Sequence, residues 1–234
     1  MLNQTPFIIK DFNGFQIVRD DLFEGGTKRR AFSCLIESIP ETELVYACDY
    51  FGYAAYAIAL TAKQVGKKVT LFYCSPKQET DVFKKTVALS NVSYRIVEDA
   101  STQMEAAPYA KEYAKETAAK YLPVGLDFPE FSVELEKVVK EARIQASEIC
   151  VLGGSSNLGR ALKRAYPNIP VNIINLGTAD FNSEGIDKVY DAPEKWYEPA
   201  QLAPPYPSTP YLDGKVWRFV IEHAKPGACI WNVA

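Results

Sequence analysis

From about residue 43 onward, short β-branched or apolar runs alternate with longer segments whose apolar residues recur at helical spacing. That alternation is the sequence form of βαβ units: an α/β chain with a mostly parallel twisted sheet flanked by helices, Rossmann-like in its order of elements. It predicts strands at Leu44 to Cys48, Lys68 to Cys74, Ser93 to Val97, Glu148 to Leu152 and Val171 to Leu176. Helices are predicted at Gly52 to Val65, Glu79 to Leu89, Gln103 to Lys120, Phe131 to Ala142 and Leu158 to Tyr166. Gly66 stands where a helix C-cap is expected.

The two ends differ from this pattern. Phe7 to Ile9 and Phe15 to Val18 flank Asn13-Gly14, a two-residue turn signal, so an N-terminal β-hairpin is expected. Pro193, Pro199, Pro204, Pro205, Pro207 and Pro210 make 191–210 a loop, and its aromatics Trp196, Tyr197 and Tyr206 predict that it packs over a site. A helix at Gly214 to Ala224 and a strand at Ala228 to Val233 close the chain. Residues 1–190 and 211–234 are thus expected to form one α/β domain, with a reduced second lobe at about 50–125 inside it.

Composition narrows the function. With 234 residues, 47% of them hydrophobic, the chain can bury a sizeable core. A formal net charge of -3 gives no overall attraction to nucleic acid or anionic lipid, so binding to either would need a local basic patch. No run approaches the ~18 apolar residues of a membrane helix, and Met1 to Thr5 lack the charged and apolar runs of a signal peptide, so export is not expected. The five cysteines are scattered without a CxxC pair and are expected to be buried, reduced thiols of a cytoplasmic protein. His223, the single histidine, reads as a helix-surface residue, so no His-rich metal site is expected.

Two segments could carry chemistry. In Gly25-Gly26-Thr27-Lys28-Arg29-Arg30 paired glycines precede a basic helix start. Lys28 could be an amine nucleophile with a pKa lowered by neighbouring cations, or part of a solvated basic helix after a turn. Gly153-Gly154-Ser155-Ser156-Asn157 follows a strand and precedes a helix, where backbone N–H groups and hydroxyls can cradle a phosphate, although such glycines can also be structural. It matches neither the Walker nor the GxGxxG spacing.

Arg19-Asp20-Asp21-Leu22 followed by Gly26-Thr27-Lys28-Arg29-Arg30 resembles the cofactor-lysine region of fold type II (tryptophan synthase β-like) pyridoxal phosphate enzymes. The similarity is closest to the aminocyclopropane carboxylate deaminase and cysteine desulfhydrase branch. It implies that Lys28 holds the cofactor as a Schiff base and that Gly153, Gly154, Ser155, Ser156 and Asn157 bind its phosphate. It also places Tyr53, within Phe51-Gly52-Tyr53-Ala54, where the family has an asparagine beside the cofactor ring. The stretch around Thr209-Pro210-Tyr211 makes Ser208, Thr209, Asp213 and Cys229 candidates for the pyridine-nitrogen partner. The chain is shorter than the enzymes it resembles, which implies a reduced second lobe and an open site.

The Asp191-Ala-Pro-Glu-Lys-Trp loop and the Gly227-Ala-Cys-Ile-Trp-Asn segment also look like small phage-encoded pyridoxal phosphate proteins of thymine hypermodification. The implied activity is a pyridoxal phosphate-dependent lyase, with decarboxylation of an amino acid attached to modified DNA preferred and deamination or β-elimination of a free amino acid second. Such a DNA substrate would need Lys28, Arg29, Arg30, Arg160, Lys163 and Arg164 to form a basic rim. A homodimer is expected. A phosphate- or nucleotide-binding transferase using the Gly153 turn, and a non-catalytic binding protein, are the alternatives.

Overall fold

The computed structural model describes residues 5–177 and 182–233. Its described residues divide into two compact units, one built from 5–27 and 132–233, the other from Lys28–Phe131. The chain opens with β1 (Ile9–Phe12), β2 (Phe15–Arg19) and α1 (Gly26–Ser33). There follow β3 (Glu43–Cys48), α2 (Ala54–Gln64), β4 (Lys68–Cys74), α3 (Asp81–Val87), β5 (Val92–Val97), α4 (Gln103–Thr117) and β6 (Lys120–Leu122). The remainder is α5 (Pro129–Lys140), β7 (Ile149–Gly153), α6 (Asn157–Ala165), β8 (Val171–Asn175), β9 (Lys188–Asp191), α7 (Val216–His223) and β10 (Cys229–Asn232).

The strands form parallel sheets flanked by helices, as the alternation predicts, in the order β1-β2-β10-β7-β8-β9 in the first unit and β5-β4-β3-β6 in the second. The expected hairpin is there: β1 and β2 are antiparallel, with Phe12 opposite Phe15 and Asn13 and Gly14 both at positive φ (56° and 80°), the backbone a tight two-residue turn requires. Every other pairing is parallel.

In the second unit β3 is buried from Leu44 to Cys48, as a parallel strand covered on both faces must be. Residues 55–62 of α2 are buried on all sides, which its alanines permit. Gly66, at φ 72°, ends this helix, and the Lys67 N–H returns to the Ala62 carbonyl at 2.9 Å. The core of the first unit gathers Ile17, Ile174 and Ile230 from the sheet against Val216, Trp217 and Val220 of α7. Among the described residues no helix is long and apolar enough to cross a membrane.

Several expectations need correction. The helix from Gln103 stops at Thr117, because Ala118 adopts a left-handed conformation (φ 55°), and Lys120 joins the short strand β6. The 191–210 loop does carry Tyr206 into the core at 4% exposure, but Trp196 and Tyr197 remain 40% and 46% exposed and pack edge-on against each other. Cys34 is exposed, just beyond the end of α1, while the other four cysteines are buried and all five are free thiols. His223 ends α7 on the surface, as expected, stacked on Tyr190.

Candidate active site

Ligands of parallel α/β sheets sit beyond the carboxyl ends of the strands. In the first unit that edge is a row of polar residues: Asn232 pairs with Arg19, and Gly153, Asn175 and Asp191 stand side by side at the ends of β7, β8 and β9. Asn175 Nδ2 donates to Asp191 Oδ1 at 3.0 Å. Arg19, 5% exposed, makes a two-pronged bond to Asp21 at 2.8 and 2.6 Å.

The turn from β7 into α6 runs through Gly153, Gly154, Ser155, Ser156 and Asn157. Gly154 is exposed, and a methyl group built on it would meet nothing within 4 Å. Ser156, the N-cap of α6, is left-handed (φ 56°, ψ -5°) and nearly buried, with its hydroxyl on the Ser155 carbonyl at 2.6 Å. The first turn of α6 has no acidic side chain. A helix start with its positive end uncompensated by a carboxylate suits an anion. Asn157 is 1% exposed, and its Oδ1 accepts from Ser132 Oγ at 3.3 Å and from Arg160 Nη2 at 3.4 Å, so its side chain braces the turn.

Two of the pyridine-nitrogen candidates separate clearly. Ser208 Oγ lies 2.6 Å from Asn232 Oδ1, and Asn232 Nδ2 donates to the Pro207 carbonyl at 3.2 Å. That second bond fixes which way the Asn232 amide faces, so Ser208 must be the donor in the first. Cys229 stands at the amino end of β10, away from the polar row, and burial pushes its thiol up to about 12. Thr209 accepts the Leu212 and Gly214 N–H groups on its carbonyl, turning the chain into the helical turn at Asp213–Lys215 that leads to α7; Asp213 there is 3% exposed.

Lys28 is the third residue of α1, within its first turn, after Gly25 and Gly26, both at positive φ (87° and 60°). In the second unit Tyr53 is the N-cap of α2, with no side-chain capping bond, and it packs beside Tyr56, Leu60 and Val82. The loop before it is held instead by Asp49, whose Oδ1 accepts from Phe51 N at 2.7 Å and Gly52 N at 2.6 Å. Lys28 and Tyr53 belong to this unit, while Gly153 to Asn157, Ser208 and Thr209 belong to the other.

Sequence reading passed over Asp49, Asn175 and Asn232. Asp49 could have been found as a polar residue directly after a predicted strand; Asn175 and Asn232 lay inside predicted strands. Of the proposed basic rim, Lys163 is paired with Asp187 at 2.8 Å, Arg164 with Glu136 at 2.8 Å, and Arg30 is 5% exposed.

No family model matches the chain, and no curated protein matches it in sequence. Solved structures do match. An ACC deaminase homologue superposes with a TM-score of 0.84 at 16% identity, over 100% of this chain and 90% of that one. O-ureido-L-serine synthase gives 0.75 at 13% identity, over 98% and 88%. Diaminopropionate ammonia lyase from Escherichia coli gives 0.69 at 9%, over 100% and 83%. The chain therefore has the fold of the fold type II pyridoxal phosphate enzymes, the architecture its sequence resembles.

Proposed function

We propose that this chain is a pyridoxal phosphate-dependent lyase acting on an amino-acid moiety. The observation that carries the reading is the Gly153–Asn157 turn, an anion-suited helix start at the carboxyl edge of the six-stranded sheet. Its donors fit a phosphate. Lys28 would hold the cofactor covalently through its amine, Tyr53 would lie beside the ring, and Ser208 and Thr209 would lie near the ring nitrogen. Bound pyridoxal phosphate supplies an electron sink that lets a bond at the substrate α-carbon break. Lys28 Nζ, once exchanged for the substrate amine, is the group that carries a proton to or from that carbon.

Deamination or β-elimination of a small amino acid is the first reaction to test, since a deaminase homologue and an ammonia lyase share the fold. Decarboxylation of an amino acid carried on modified DNA is the second, and the pairing of Lys163 and Arg164 leaves it less basic surface.

The test is incubation with pyridoxal phosphate, reduction with borohydride and peptide mass spectrometry. The cofactor mass is expected on Lys28, with a visible absorption band that Lys28→Ala lacks. Uptake of no cofactor would favour the transferase or the non-catalytic reading. Ammonia, keto acid and carbon dioxide are then scored with free amino acids and with amino-acid-modified DNA. Light scattering checks the expected homodimer.

A further inference from the structure

Three buried polar groups meet at the residue before Lys28. Trp231 Nε1 donates to Thr27 Oγ1 at 2.8 Å, and Thr27 Oγ1 lies 2.6 Å from Asp20 Oδ2. The direction of this chain is fixed. An indole N–H only donates and a carboxylate only accepts, so the hydroxyl takes the indole hydrogen and gives its own to Asp20. Asp20 and Trp231 are 0% exposed and Thr27 is 1% exposed.

The residue that follows β10 presses on the residue before Thr27. A methyl group on Gly26 would fall 2.6 Å from Val233 Cγ1 and 2.8 Å from the Val233 carbonyl oxygen. Of the two residues ahead of Lys28 in α1, Gly26 is therefore closed in by Val233, just past β10, and Thr27 is held by Trp231 of β10 and by Asp20. A buried carboxylate is costly unless bonded. An exposed side-chain cap would secure the start of an eight-residue helix without that cost.

We propose that Asp20, acting through Thr27 and together with Trp231, is the positioning residue for Lys28: it holds the first turn of α1 so that the amine meets pyridoxal phosphate in one orientation. The inference rests on the reading of Lys28 given above. Asp20 itself is a positioning residue, because it acts through Thr27.

The experiment compares the wild type with Thr27→Val, Thr27→Ser and Trp231→Phe. Each is checked for a cooperative melt, and its pyridoxal phosphate affinity is measured by equilibrium dialysis. The visible spectrum of the loaded protein is followed against pH. Thr27→Val is expected to bind about tenfold more weakly and to shift the pH midpoint of the spectrum, since loss of positioning acts on the bound geometry. Thr27→Ser, which keeps the hydroxyl, should stay within about twofold of the wild type, and Trp231→Phe should weaken binding about threefold. Folded Thr27→Val and Trp231→Phe proteins with wild-type affinity and midpoint would overturn the proposal, as would a Thr27→Ser protein as impaired as Thr27→Val. If Thr27→Val does not fold, Trp231→Phe decides. A wild type that takes up no cofactor removes the reading of Lys28 first, and the positioning role with it.

Discussion

Gly159 of α6 lies so close to Ile173 of β8 that a methyl group on the glycine would overlap Ile173 Cδ1 and sit 2.9 Å from Cγ1. Ile173 is 0% exposed, so its side chain has little room to yield. Elsewhere in a helix, replacing glycine by alanine gains about 1 kcal/mol. Here overpacking opposes that gain with about 1–3 kcal/mol. Gly159→Ala is expected to lower stability by about 1 kcal/mol in a denaturant titration. Adding Ile173→Val, which deletes Cδ1, should recover most of it; a single variant more stable than the wild type would contradict this packing.

Ser156 carries a left-handed conformation at the start of α6. Relieving it with Ser156→Gly gains about 1–2 kcal/mol. The extra freedom of the unfolded chain takes back about 0.4–1 kcal/mol, and loss of the hydroxyl bond to the Ser155 carbonyl about 1 kcal/mol more. The expected result is a melting temperature near that of the wild type. Ser156→Val, β-branched at positive φ, should instead cost about 2–3 kcal/mol. Equal melting curves for the two variants would show that the backbone of this turn is not strained.

The thiols predict both a labelling pattern and a pH dependence. Cys34 is the exposed one, so a thiol reagent at neutral pH should modify one cysteine per native chain and five after denaturation. Burial pushes Cys74 up to about 11, and Cys150 and Cys229 up to about 12, from an ordinary 9.0. The folded chain thus holds these protons more tightly than the unfolded one. Their contribution to stability is complete below pH 9 and is lost as the pH rises through 9 toward 11 and 12. Thermal melts should fall as the pH rises beyond 9, and Cys150→Ala should make that fall shallower.

Much of this fold was legible because local signals agreed with it. Gly66 marked the end of α2, and Asn13-Gly14 marked the hairpin. The strand β6 was hidden because an alanine, not a glycine, takes the left-handed conformation that ends α4. The division into two sheets was hidden as well, since strand order depends on crossovers that periodicity does not encode.

For the site, the contiguous pieces were readable and the assembled ones were not. The Gly153–Asn157 turn announces itself by composition and by its place between a strand and a helix. The bond between Trp231 and Thr27 spans 204 residues, and the Ser208–Asn232 pair joins a proline-rich loop to a strand that read as plain core. The lysine could be picked out by its neighbours in sequence, but the groups that hold its helix could not.

The strand β10 follows all its sheet neighbours in the chain, yet it takes the third place in its sheet, between β2 and β7. During vectorial synthesis the N-terminal hairpin must therefore wait for residues 229–232 to leave the ribosome before it can join the other parallel strands. The sheet of Lys28–Phe131, contiguous in sequence, has no such wait. A premature stop codon just upstream of residue 229 would remove an interior strand and leave Thr27 without its indole, a far heavier lesion than the loss of a few terminal residues from an edge.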